Sequence, residues 1–135
     1  MIYVTRRATF NAAHRVFNPN LSDEENSKIF GKCSNPNWHG HNYILEVVVA
    51  GEINPETGYL IDLKDLKEII NEYVIEKVDH KNLNLEVDFM KGIQPSAENI
   101  TIQIWKQLEK KIPSGKLYSV KLYETENNYF EYRGE

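Results

Sequence analysis

The chain is short of the features that brace, anchor or export a protein. It has one cysteine, Cys33, in 135 residues, so no internal disulfide forms and a disulfide-braced scaffold is excluded. No apolar stretch approaches the roughly 20 residues that cross a bilayer. The N-terminal Met1-Ile-Tyr-Val-Thr-Arg-Arg7 lacks the apolar centre of a signal peptide. A water-soluble protein of the cytoplasm is expected, with no membrane partner. Nor is there a run of like charge that suggests an anionic polymer as partner: 16 basic and 20 acidic residues are spread along the length for a net charge of -4, which argues against nucleic acid, and the short Asp23-Glu24-Glu25 is acidic. No repeat, low-complexity tract or linker divides the chain, so residues 1–135 are expected to form a single domain. At this length roughly two-thirds of the unfolded surface is buried on folding, enough for an ordinary core. Histidine is scarce too, with four residues, and two of them fall beside the cysteine in Cys33-Ser-Asn-Pro-Asn-Trp-His-Gly-His-Asn-Tyr43. Imidazole and thiol bind zinc and exchange protons near neutral pH, so packing alone is a poor account of that clustering.

Along the chain, the even positions Ile2, Val4, Ala8, Phe10 and Ala12 alternate with polar neighbours, predicting a half-buried strand that closes at His14. Residues 15–38 read as a long loop of the kind that commonly carries function. A second strand is predicted from His41 to Ile53, with a turn at Asn54-Pro-Glu-Thr-Gly58. Asp62 caps a helix whose stripe Leu63, Leu66, Ile69, Ile70, Tyr73 and Val74 ends near Lys77. Pro95-Ser96 opens a second helix with Ala97, Ile100, Ile104, Leu108 and Ile112 on one side, running to Pro113. Two strands follow, Leu117–Glu124 and Tyr129–Arg133, around Thr125-Glu-Asn-Asn128. The order ββααββ predicts an α+β fold: a four-stranded antiparallel sheet with two helices on one face. The second strand is apolar at both parities, so subunit association is expected to cover the other face.

His39 and His41 are two apart, which puts both imidazoles on one side of an extended segment, and Gly40 leaves room between them. If the first two strands pair antiparallel, His14 lies beside that pair. Three imidazoles with an open position have the composition of a catalytic zinc site, and Zn2+ is the expected cofactor. Histidines in a surface turn, or a closed structural site in which Cys33 joins the three histidines, remain the alternatives. Cys33 lies in a polar loop after Lys32, a setting that favours a thiolate base, although a buried inert thiol has the same sequence signature. Asp79 and His80 form an adjacent carboxylate and imidazole suited to proton relay, a weak signal alone. Glu124 continues the parity of Tyr118, Val120 and Leu122, which puts a carboxylate at the end of an apolar strand face. Such a group either grips a guanidine-like edge of a heterocycle or is simply solvated.

Together, Asn11-Ala-Ala-His14, the Cys33–Tyr43 segment, Asp62-Leu-Lys-Asp-Leu-Lys67, Val78-Asp-His-Lys-Asn-Leu83 and Tyr123-Glu-Thr-Glu-Asn-Asn128 resemble the 6-pyruvoyl-tetrahydropterin synthase family over nearly the whole chain. The resemblance implies the tunnelling fold, in which the sheets of three subunits close a barrel and two trimers stack into a homohexamer. By motif position, His14, His39 and His41 look like the zinc ligands, Cys33 like the proton-abstracting base, Asp79 and His80 like the relay pair, and Glu124 like the pterin anchor. The implied substrate is 7,8-dihydroneopterin triphosphate. The implied reaction tautomerises its side chain and expels triphosphate, giving 6-pyruvoyl-tetrahydropterin for tetrahydrobiopterin synthesis. A second branch, 6-carboxy-tetrahydropterin synthase of queuosine biosynthesis, cleaves the side chain of the same substrate. The five residues between Cys33 and His39 are similar to the pyruvoyl-forming branch. Two positions depart from that branch: Ser96-Ala97-Glu98 stands where Thr-Thr-Glu is usual, and Trp38 where a small residue is usual. A reading of another class is a non-enzymatic zinc-binding assembly module.

Overall fold

In a computed structural model that describes residues 1–135, β1 (Ile2–His14) and β2 (His39–Gly51) pair antiparallel along their full length, from Ile2 opposite Gly51 to His14 opposite His39. The alternation read in the sequence sets which residues face inward: Phe10, Ala12, Tyr43, Leu45, Val47 and Val49 are buried, whereas Tyr3, Thr5, Arg7, Thr9 and Asn11 are exposed on the opposite face. β2 begins two residues before its expected start, so both of its histidines belong to the strand.

β4 (Lys116–Tyr123) pairs antiparallel with β2, and β5 (Tyr129–Tyr132) with β4. The sheet has five strands rather than the expected four, because β3 (Lys81–Asn82) joins β1 in parallel at Ala12 and Ala13, for an order of β3-β1-β2-β4-β5. Two residues are too few to show a period. Their docking depends on His80, whose φ of 61° turns the chain so that its N–H donates to the Asn11 carbonyl at 2.6 Å. The β2–β4 register shifts between Val48 and Val49, a bulge that unbalances simple alternation. Leu117, Val120 and Leu122 consequently face the core, while Tyr118 turns outward against Tyr3. Tyr118 therefore does not share a face with Val120 and Leu122, contrary to the parity of the sequence.

The helices cover one face. α2 (Leu63–Ile70), capped by Asp62, runs through a π turn (Asn71–Ile75) into α3 (Glu76–Val78). Leu66, Ile70, Val74 and Val78 are buried at intervals of four, wider than an α-helical turn, and the π turn absorbs the difference. α4 (Ala97–Leu108), capped by Ser96, stops short of the expected Pro113; Ile112 still packs on the core from beyond its end. These elements and the sheet enclose one cluster of 22 buried apolar residues.

The segment expected to be a plain loop contains α1 (Asp23–Phe30), followed by a 3-10 turn, Gly31–Ser34. Its acidic run is a capping box: Ser22 accepts from the Glu25 N–H and Glu25 reaches back to Ser22. Except for Asn26 the helix has no buried residue, and without an apolar stripe no helical period shows in the sequence.

The second sheet face stays open in the single chain. Across four strands it carries a row of alternating charge, Arg7, Glu46, Lys121 and Glu131.

Candidate active site

Strand pairing sets His14 directly opposite His39, and alternation returns His41 to the same helix-covered face. The three rings stand with centroids 4.4 to 5.0 Å apart, and one nitrogen from each falls within a group spanning no more than 4.8 Å. The His14 and His41 Nε2 atoms are 3.1 Å apart. His14 Nδ1 lies 2.7 Å from the Pro95 carbonyl, which only accepts, so Nδ1 carries the proton and Nε2 keeps a bare lone pair toward the cluster. Burial pushes the His14 imidazole down to about 4, against the Pro95 hydrogen bond and with help from the charges of His39 and His41. His39 is lowered as well, by burial and then by His41, and its Nδ1 is buried without a partner. Three imidazoles that each bring one nitrogen into so small a group are a donor set that fits a zinc-like ion. Cys33 stands outside the group, and its side chain is exposed.

Glu124 follows β4 and brings Oε2 to 3.8 Å from His14 Nε2 and 4.0 Å from His41 Nε2. Tyr43 continues the inward-facing series of β2, stacks on Phe10 at 4.8 Å and meets the His14 and His41 rings edge-on. Burial first, then the negative charges of Glu124 and Cys33, raise the titration of its hydroxyl. Cys33 is held by its backbone, its carbonyl accepting from the Val16 N–H at 2.8 Å. Arg15, stacked on Phe17 at 3.9 Å, donates from Nε to the Ser34 carbonyl at 2.7 Å and from its guanidinium to Asp23 at 2.9 Å. Those bonds tie the turn that bears Cys33 to the end of β1.

Asp79 and His80 are paired with each other, at 3.0 Å between Oδ2 and Nδ1. The Asn11 N–H donates to Asp79 Oδ1 at 2.9 Å, and this bond, with His80, holds the Asp79 carboxyl below its usual range. The side chain of His80 is 78% exposed, in a cleft of about 450 Å³ shared with Asn11, Asn42, Asn82 and Glu86. No hydrogen bond or ion pair joins this pair to the three histidines.

The family model for 6-pyruvoyl tetrahydropterin synthase matches residues 3–135. The chain belongs to this family. It is 51% identical over 132 residues to the 6-pyruvoyl tetrahydrobiopterin synthase of Pongo abelii, covering 98% of this chain and 91% of that protein. Identity to the protein of that name from Homo sapiens is 49%, with the same coverage. The solved 6-pyruvoyl tetrahydropterin synthase of Caenorhabditis elegans superposes with a TM-score of 0.91 at 39% identity, over 99% of this chain and 96% of that one.

In this member of the 6-pyruvoyl tetrahydropterin synthase family, two participants were not evident in the sequence. Tyr43 could have been found by extending the alternation of His39 and His41 by two residues. Pro95 acts through a backbone carbonyl 81 positions from His14, and no side-chain pattern announces it.

Proposed function

We propose that the chain is a zinc-dependent 6-pyruvoyl-tetrahydropterin synthase, converting 7,8-dihydroneopterin triphosphate to 6-pyruvoyl-tetrahydropterin with elimination of triphosphate. The observation that carries this reading is the convergence of His14, His39 and His41 with the Glu124 carboxylate beside them. The names of the full-length relatives support the choice of substrate and product. His14, His39 and His41 hold the metal, which supplies Lewis-acid polarisation of substrate oxygens when bound. Cys33, an exposed thiol outside the histidine group, is the base that takes a proton from the substrate side chain as its thiolate. Asp79 holds the Nδ1 side of His80, so that the outer nitrogen exchanges a proton with the substrate. Each positioned proton transfer contributes about 10² to 10⁴ in rate. Glu124, facing His14 and His41, is the substrate-holding carboxylate and accepts hydrogen bonds from it. The tautomerisation and loss of triphosphate involve no net redox change.

Residues 1–135 act as one domain in this reading, in the cytoplasm. The open polar sheet face and the separation of Asp79 and His80 from the cluster support a homohexamer of two stacked trimers. In it, neighbouring sheets close a barrel and the relay pair of one subunit completes the site of another.

The test is to incubate purified zinc-loaded protein with 7,8-dihydroneopterin triphosphate and identify the products by mass. A pyruvoyl side chain with free triphosphate supports the assignment. A carboxyl product with acetaldehyde assigns the chain to the other branch, and no conversion with zinc bound makes it a metal-binding assembly module.

A further inference from the structure

Two buried side-chain polar atoms in the chain have no hydrogen-bond partner: Nδ1 of His39 and the hydroxyl of Tyr43. Both belong to β2 and both border the same group of rings. Buried hydroxyls are nearly always partnered, and phenylalanine would fill the same space without the desolvation cost. The hydroxyl therefore calls for a partner that no residue of the chain brings within hydrogen-bond length.

Its position narrows the choice. Ile44 pairs with Tyr123 in the β2–β4 ladder, so one step beyond that pair Tyr43 stands across from Glu124 on the helix-covered side. On its other flank Phe10 pairs with Tyr43 and stacks on it, which keeps the ring from swinging away. The His14 and His41 rings meet it edge-on, at 6.2 and 5.5 Å between centroids. A phenol is protonated at neutral pH, so the group is a donor. Imidazole nitrogens committed to a metal have no lone pair to offer it. Glu124 in turn has no fixed donor: its Oε2 is 3.8 and 4.0 Å from the nearest imidazole nitrogens, beyond hydrogen-bond length. A donor without an acceptor thus lies next to an acceptor without a donor.

We infer that Tyr43 is a positioning residue of this site: with metal on the histidines its hydroxyl donates to Glu124 and sets the angle at which that carboxylate meets the substrate. Hydrogen bonds at catalytic sites are commonly long in the empty protein and tighten when the site fills. The role in turnover rests on the synthase reading, but the hydrogen bond does not, and the two are tested separately.

The bond is read by proton NMR of the zinc-loaded protein, without substrate. A slowly exchanging hydroxyl resonance is expected that vanishes in Tyr43→Phe and moves in Glu124→Gln. Its absence overturns the inference, as does a resonance that ignores Glu124→Gln or one moved by Cys33→Ala instead. In turnover, Tyr43→Phe is expected to bind zinc normally, to melt no lower than the parent, and to lose about tenfold in kcat/KM, the effect of one hydrogen bond to a charged group. In a Glu124→Gln background the same change should cost less than about twofold, because the hydroxyl acts through that carboxylate. An undiminished second loss overturns it. If the parent turns nothing over, the synthase reading fails while the NMR result still decides the hydrogen bond.

Discussion

Zinc binding to the stripped protein should raise its melting temperature by an amount set by the three histidines and not by Cys33. One pair of donors already stands at the spacing the metal needs. Zn–N bonds of about 2.05 Å in a tetrahedron put donor nitrogens about 3.3 Å apart, and His14 and His41 Nε2 already stand at 3.1 Å. With its imidazole at about 4, His14 is neutral at pH 7 and has no proton to release. Zinc at 100 times its dissociation constant stabilises the folded state by about 2.7 kcal/mol. At about 2.1 cal/mol/K per residue, a chain of 135 residues has an unfolding entropy near 0.28 kcal/mol/K. The expected rise is therefore about 10 °C, measured by calorimetry at pH 7 and fixed protein concentration, with and without zinc after chelator treatment. His39→Ala removes a donor from a partly exposed position and should collapse the rise to nearly nothing at the same zinc concentration. Cys33→Ala should keep it whole. If Cys33→Ala loses the rise as His39→Ala does, the cysteine is a ligand, the site is closed and structural, and the reasoning above is wrong.

The metal-free protein should lose stability as pH falls from 6.5 toward 4. Because the folded state holds His14 at about 4, against 6.5 for the free side chain, the unfolded chain binds a proton that the folded chain rejects. That contribution is complete above 6.5 and amounts to about 3 kcal/mol across the window. Urea midpoints that fall no more steeply there than in His14→Gln would contradict it. Arg15→Ala removes the bond to the Ser34 carbonyl and the stacking on Phe17, while the bond to Asp23, a residue 72% exposed, contributes little. The expected loss is about 1–2 kcal/mol, with faster amide exchange at Val16, the donor to the Cys33 carbonyl; unchanged exchange would mean that Arg15 does not hold that turn. At Gly115, φ is 72° and an added Cβ would meet the Ala50 carbonyl oxygen at 2.6 Å. Gly115→Ala should therefore destabilise by more than about 2 kcal/mol, and a smaller shift in denaturant midpoint would show that the turn can yield.

Legibility in the sequence followed range. His39, His41 and the inward residues of β2 were readable because two-residue alternation is a local property of extended chain, and the cap at Asp62 and the helix start at Pro95-Ser96 because the signals of a first turn are local too. α1 was missed because it rests on a capping box with no apolar stripe, and β3 because two residues show no period. Parity failed at Tyr118 because the bulge at Val48 and Val49 depends on how β4 meets β2, which neither strand's sequence states.

The same division runs through the site. By itself the sequence determined which residue types were available, that His39 and His41 share a face, and, through five ordered motifs, the family. Only the tertiary structure decided that His14 offers a bare Nε2, because the carbonyl that takes its other proton comes from Pro95 on a distant connection. It also decided that Glu124 and Tyr43 close on the three rings while Cys33 stands outside them, and that Asp79 and His80 bond to each other away from the cluster. Local spacing sets the direction of a side chain, but which lone pair is free and which hydroxyl lacks a partner depends on what distant segments bring alongside.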